Sequence, residues 1–282
     1  MLVGVTADCT IQYIHAPSQK VVDVIQCDEN NPLICMDFAA TGETFSCAGY
    51  DGKVRLYDES TRKEIMTVQY TDKFVGHINR IHSLRHHPTQ LNLVLTGGWD
   101  CAVVVHDIRV GHPVANTHGP YMCGDSLDVR GDLIIAGQNK IDRPLYTYDM
   151  RTMKNLNNIA WEANGNATTG TMCLQYLKNY NFVRSAIMGD QEDDDEEEAK
   201  ELQMQVNAVN LMIAGGGGAK NEIKIFEDLE GDGLFKPGTA LTDLKKSVYA
   251  LDTAHDDAKF AFGTANGTIG VVKLAFEKSR SK

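Results

Sequence analysis

Six copies of one pattern predict an all-β fold of the β-propeller class for this 282-residue chain: an apolar run, small residues, an Asp or Asn turn, and a second apolar run. The copies are Leu2–Ala7 with Asp8, Thr44–Tyr50 with Asp51, Leu93–Trp99 with Asp100, Leu133–Gln138 with Asp142, Leu211–Gly216 with Asn221, and Phe260–Ala265 with Asn266. Successive turn residues lie 43, 49, 42, 79 and 45 positions apart. A period of about 40–45 residues with four short strands, a to d, is that of a propeller blade. A second observation is internal to the unit. The turn acid precedes another acid by seven residues in Asp51 to Asp58, Asp100 to Asp107 and Asp142 to Asp149. At about 3.3 Å per residue that distance is one strand and its turn. Third, the apolar alternation has period two, β-branched runs such as Val103-Val104-Val105 recur, and Gly punctuates nearly every unit. A helical repeat has neither feature.

Taken in order, the first unit opens directly with strand b (Leu2–Ala7), then c (Thr10–His15) and d (Val21–Gln26). Five later units open with a strand a near Leu33, Ile78, Asp125, Thr171 and Ser247. The last runs a (Ser247–Thr253), b (Lys259–Thr264) and c (Thr268–Phe276). This gives about six recognisable blades with incomplete first and last units, read as one domain over 1–282. Either the ring has six blades, or it is an open or N-terminally shortened ring of seven. The interval of 79 is one repeat, the fifth, carrying an acidic insertion at 179–209 between its a and b strands.

The formal net charge is −11, but Asp190 through Glu201 holds nine acids and one lysine, so the rest is nearly neutral. Nothing there is the clustered Lys and Arg that nucleic acid requires. No apolar run is long enough to span a membrane, and Met1-Leu2-Val3-Gly4 is not the start of a signal peptide. The seven cysteines form no CxxC pair and lie in strand-like stretches, which reads as buried thiols in a reducing compartment. The expected location is therefore cytoplasmic, with cytoskeleton or cilium as finer options.

Tyr57-Asp58, His106-Asp107 and Tyr148-Asp149 resemble degenerate Trp-Asp dipeptides of the WD-repeat (WD40) family, and Gly76-His77 resembles its Gly-His dipeptide. The resemblance implies a hydrogen-bonded tetrad of His77, Thr96, Asp100 and His106 in the third unit. Such a network ties the outer connection of a blade to its inner strands. The other units lack the histidine, so their packing is expected to rest more on apolar contacts and Asp51 to matter less than Asp100.

Asp190 onward and Asp228 onward miss the Gly at position six or the Glu at position twelve of a calcium loop. Gly215 to Lys220 lacks the GK[ST] ending of a phosphate loop and is read as a b–c turn. His77, His82, His86 and His87 are spread along one strand and its ends and would not converge on zinc. No catalytic constellation assembles from the spacing. The expectation is a protein-interaction scaffold in a multiprotein complex, with no catalytic residues, cofactor, metal or small-molecule substrate.

Tyr50 and Trp99 share one motif position before the turn Asp, so they are either partner anchors or packing between blades; Arg80 and Arg85 are placed nearby as polar contacts. His106-Asp107-Ile108-Arg109 and Tyr148-Asp149-Met150-Arg151 resemble the WDxR box of cullin-ligase substrate receptors, which implies adaptor contacts by Arg109 and Arg151. A structural part of a cytoskeletal or ciliary assembly and a propeller enzyme complete the alternatives.

Overall fold

The computed structural model describes residues 1–28, 30–70, 75–162, 169–177, 210–228, 230–254 and 259–274. The acidic insertion 179–209 lies outside the described residues. Among these, strands follow one another in antiparallel sheets whose order is the order of the chain. The first sheet holds β1 (Leu2–Val5), β2 (Thr10–His15) and β3 (Lys20–Gln26). The second holds β4 (Leu33–Phe38), β5 (Thr44–Gly49), β6 (Val54–Asp58) and β7 (Glu64–Val68). The third holds β8 (Ile81–His86), β9 (Leu93–Gly98), β10 (Ala102–Asp107) and β11 (His112–His118). The fourth holds β12 (Leu127–Arg130), β13 (Leu133–Gly137), β14 (Leu145–Asp149) and β15 (Lys154–Ile159). The fifth holds β16 (Thr169–Tyr176), β17 (Asn210–Gly218), β18 (Ile223–Asp228) and β19 (Lys236–Leu241). The sixth holds β20 (Val248–Thr253), β21 (Lys259–Thr264) and β22 (Ile269–Lys273). Among the described residues the repeat forms six sheets, four of four strands and the first and last of three.

The chain divides into two compact units, Met1–Ala136 with Asp149–Lys154, and Gly137–Tyr148 with Asn155–Lys282. In the first unit, alternate residues of neighbouring sheets meet in shared cores. One joins Ile11, Tyr13, Leu33, Phe45, Cys47 and Tyr57, with Phe45 and Tyr57 stacked at 5.3 Å. The next joins Cys35, Ala48, Val54, Val68, Ile81, Leu84 and Val94. In the second unit, Cys173, Leu211, Ile213, Ile223, Ile225, Val248, Leu251, Phe260 and Phe262 form one core. Four cysteines, Cys9, Cys35, Cys47 and Cys173, are buried within these sheets. Each fully buried side chain of Leu, Ile or Phe size contributes about 1.5–3 kcal/mol, so the cores between sheets dominate stability.

The repeat is sharper in the backbone than in the sequence. In four sheets, strand a slips one residue against b at the same place: Leu33/Cys35, Ile81/Ser83, Thr171/Cys173 and Val248/Ala250. Strand c slips against d at Tyr13/Ile14, Leu56/Tyr57, Val105/His106 and Lys224/Phe226. Such bulges bend and twist a short strand, and here each one recurs at a fixed place in the unit. The residue after the b–c turn acid takes positive φ in Cys9, Gly52, Cys101 and Gly267.

Two expectations are corrected. Strand a of the third unit starts at Ile81, not near Ile78, which is exposed in a loop whose amide is bonded to Asp100. The glycines Gly215 to Gly218 lie in β17, not in a turn. The reason is close approach: a Cβ on Gly216 would fall 1.9 Å from the Gly170 carbonyl oxygen, and one on Gly217 1.9 Å from the Ser247 hydroxyl.

Candidate binding site on the second and third sheets

The b–c turns of the second and third sheets carry Tyr50 and Trp99, each seated the same way. The Tyr50 amide donates to the Pro32 carbonyl (3.2 Å) and the Trp99 amide to the Arg80 carbonyl (3.1 Å). The glycine before each aromatic makes this possible. A Cβ on Gly49 would lie 2.1 Å from the Pro32 oxygen, and one on Gly98 2.1 Å from the Arg80 oxygen. At Gly52, with φ of 70°, the β5–β6 turn lies against the 77–79 loop, where a Cβ would sit 3.1 Å from the carbonyls of His77 and Asn79. That approach brings Tyr50 beside Arg80.

Arg80 fills the space between the two aromatics. Its guanidinium carbon is 3.8 Å from the Tyr50 ring centre and 4.5 Å from that of Trp99. His82 stacks on Trp99 at 5.2 Å and Tyr121 at 5.9 Å. Burial, then the charge of Arg80, depresses the His82 imidazole pKa, so the ring is uncharged at neutral pH. Tyr50 is 42% exposed, whereas Trp99 is half-buried. Arg85 is not part of this group. Its guanidinium bonds to Asp125 (2.7 Å), and the Ser83 hydroxyl donates to the same carboxylate (2.8 Å). The reason is strand geometry: Arg80 precedes β8, while Arg85 lies within it, near its far end.

His77, Thr96, Asp100 and His106 form one chain of hydrogen bonds. His77 Nδ1 donates to both Asp100 oxygens (2.9 and 3.0 Å), since a carboxylate only accepts. The Thr96 hydroxyl lies 2.8 Å from His77 Nε2 and 2.7 Å from His106 Nε2. While His77 carries one ring proton, its Nε2 accepts from Thr96, which in turn accepts the Nε2 proton of His106; the His77 charge acts only once the ring takes up a second proton. Burial alone would raise the Asp100 carboxyl; the His77 bond and charge and the Ile78 amide outweigh it and hold it below the usual range. Burial and the His77 charge push His106 down to about 3. His106 thus supplies one N–H to the chain, and its Nδ1 is buried without a partner.

The histidines at the end of β8 turn to separate partners. His86 Nε2 meets the Ser46 hydroxyl (2.9 Å), and His87 Nε2 meets the Gly131 carbonyl (2.9 Å). Arg109 clasps Asp107 (2.6 Å) within its own turn, with its side chain 66% exposed. Arg151 lies 3.4 Å from both Asp149 and Asp132. These exposed pairs close c–d turns.

Three groupings escaped the sequence. Asp51 is not idle: its carboxylate accepts from the buried Arg55 (2.6 Å), and Asn31 accepts from its amide (3.1 Å). His82 and Tyr121 join the aromatic stack from positions without a motif. In the fifth sheet, the buried Trp161 donates its indole N–H to Glu222, beside Lys224, which bonds the Trp161 carbonyl (3.0 Å) and Glu162 (3.1 Å). The one signal available for that group was a Glu directly after the turn residue Asn221.

Comparison with known proteins agrees with this architecture. The WD domain, G-beta repeat family matches residues 19–58 and 68–107, which cover β3 to β6 and β8 to β10. The cell division cycle 20.1 protein, cofactor of APC complex, of Arabidopsis thaliana is 22% identical over 80% of this chain and 42% of its own length. Polycomb protein esc of Drosophila virilis is 26% identical over 36% of this chain and 23% of its own. The chain thus spans less than half the length of either relative. A chain in the crystal structure of the mitotic checkpoint complex superposes with a TM-score of 0.70 at 11% identity, covering 95% of this chain and 71% of that one. Two stretches of the chain thus match the WD-repeat family, and its six sheets are blades of the β-propeller fold.

Proposed function

We propose that this chain is a non-catalytic platform that binds other proteins within a multiprotein complex, through the surface carrying Tyr50, Arg80 and Trp99. The observation that carries the reading is the guanidinium held between two aromatic rings on adjacent turns, one ring open to solvent. Tyr, Trp and Arg are the residues most enriched among interface hot spots, and rigid scaffolds place function on their loops. Two relatives are named for a complex or for one of its cofactors, which supports the same class of role. Buried cysteine thiols support a cytoplasmic setting.

The test is affinity purification with the double variant Tyr50→Ala and Trp99→Ala. Loss of one aromatic anchor costs about 2 kcal/mol or more, roughly thirtyfold in affinity. The main partner should therefore vanish from the purification while circular dichroism is unchanged. A folded variant that retains its partner would reject this surface. Arg109 and Arg151 would then be next, as the adaptor contacts of a cullin-ligase receptor. That reading has weaker support here because both side chains are already paired within their own turns.

A further inference from the structure

We propose that Arg80 is the receptor for a side-chain carboxylate, an Asp or Glu presented by a loop or extended segment of the partner protein. The inference rests on the reading of this surface as the binding site and names the chemistry it selects.

The argument begins with what a guanidinium has to offer. It has five N–H donors arranged around a plane and two flat faces. At Arg80 the guanidinium lies against two rings, Tyr50 at 3.8 Å and Trp99 at 4.5 Å. Rings over the faces take up the charge-quadrupole attraction but no hydrogen bonds. The donors at the edge remain. Other arginines of this unit spend theirs within the chain: Arg55 on Asp51, Arg62 on Asp23, Arg85 on Asp125 and Arg109 on Asp107. Among the described residues, no carboxylate or carbonyl accepts from the Arg80 side chain. The rotamer entropy of the side chain is already spent, because its own carbonyl is fixed by the Trp99 amide and its plane by the two rings. A pre-oriented fork with unused donors matches a carboxylate in the bidentate geometry that makes such bonds strong.

The surroundings exclude the opposite charge. The space between the aromatics that would otherwise hold a cation is taken by Arg80 itself. His82 is half-buried and stacked on Trp99, so it supplies bulk and no counter-charge. In the sequence just before Arg80, Tyr70, Val75 and Ile78 are exposed and largely apolar, with Asn79 the exposed polar residue next to it. They suit a partner segment with an acidic residue flanked by apolar ones.

The experiment pans a random heptapeptide library on phage against the full chain and against Arg80→Gln. The wild type should enrich peptides with Asp or Glu at one fixed position. Replacing that acid by its amide in the best synthetic peptide should weaken binding to the wild type tenfold or more, and binding to Arg80→Gln less than twofold. Arg80→Lys, which keeps the charge but not the planar fork, should recover only part of the difference. An equal loss on both proteins, or enrichment of Lys and Arg, would overturn the inference while leaving the surface a binding site. Failure to enrich any peptide, with the variants folded and melting alike, would overturn the surface reading as well.

Discussion

The third and fifth sheets pin the loop before strand a by different chemistry. In the third, His77 reaches the turn acid Asp100, and the link runs inward through Thr96 to His106. In the fifth, an indole takes the place of the imidazole: Trp161 precedes β16 as His77 precedes β8, and it donates to Glu222, one residue after the turn. The third chain passes through a hydroxyl and is uncharged at its inner end. The fifth ends on an ammonium, Lys224, only 4% exposed and held by Glu162, with Glu222 at 4.0 Å. The position is thus constrained by its task, which is to fasten a loop to a turn, and not by residue type. The risk differs, because a chain whose inner end is a neutral ring leaves no buried charge when that end fails, whereas a buried ammonium without its counter-charge is costly.

That difference gives the largest expected effect. Glu222→Ala leaves the buried Trp161 indole N–H without its acceptor and removes one of the two carboxylates near the buried Lys224 ammonium, which should cost about 3–5 kcal/mol. Urea unfolding measures it. The sharper form is a cycle: Glu222→Gln combined with Lys224→Met should be less destabilising than Glu222→Gln alone. Additive losses would mean the two side chains do not share a charge balance.

Asp100→Ala comes next. It removes the acceptor of His77 and of the Ile78 amide, for about 2–3 kcal/mol. Comparison with Asp51→Ala corrects the sequence argument, which left Asp51 without a partner because the second unit has no Gly-His. Arg55, 6% exposed, now depends on Asp51. The two variants should fall within about 1 kcal/mol of each other. A near-silent Asp51→Ala would show that Asp28, at 4.0 Å from Arg55, suffices.

These cases show what a sequence can carry. The six sheets, their order and the third-sheet network were readable because each rests on a short local pattern: a Gly, an aromatic, a turn acid, a second acid seven residues on. The pairing of Tyr50 with Trp99 followed from their shared motif position, and Arg80 stood close in the sequence. Arg85 was misplaced because proximity along a strand says nothing of which end a side chain serves. The Arg55 and Trp161 groupings were unreadable for another reason. Their partners come together only through close backbone approach, and nothing in a lone Arg, Trp or Lys announces it. The same holds for Arg62 and Met153, which take positive φ in their c–d turns where Gly111 does so in the third sheet.

The acid limb of stability separates charged from neutral histidines. Burial pushes His86 down to about 4, and burial with the His77 charge pushes His106 down to about 3, against an unfolded value of about 6.5. The folded state therefore binds fewer protons than the unfolded chain below about pH 6.5, and stability falls as pH falls through that window. His82 acts in the same direction. Asp37 opposes it: burial raises its carboxyl to about 6, so it adds stability as pH drops through that value. The balance should be a loss of about 1–2 kcal/mol between pH 6.5 and 5.5. A flat profile there would mean that these rings are protonated in the fold.

The smallest effect is expected at the inner end of the third-sheet chain. His106 donates one bond, to Thr96, while its Nδ1 is buried without a donor. Replacing the ring by phenyl, in His106→Phe, removes the bond and the unsatisfied acceptor together. Thr96 still has His77 and the Val104 carbonyl (3.4 Å) within reach, so its hydroxyl proton keeps an acceptor. A lost buried bond costs about 0.5–1.5 kcal/mol and an unsatisfied polar atom about 1–3 kcal/mol, so the two changes nearly cancel. The variant should unfold within about 1 kcal/mol of the parent at neutral pH. Its acid limb should be shallower by up to about 1.4 kcal/mol per pH unit, because one neutral buried imidazole is gone. A large loss at neutral pH together with an unchanged acid limb would show that His106 is held as a charged or doubly bonded ring, and the directed chain from His106 to Asp100 would have to be redrawn.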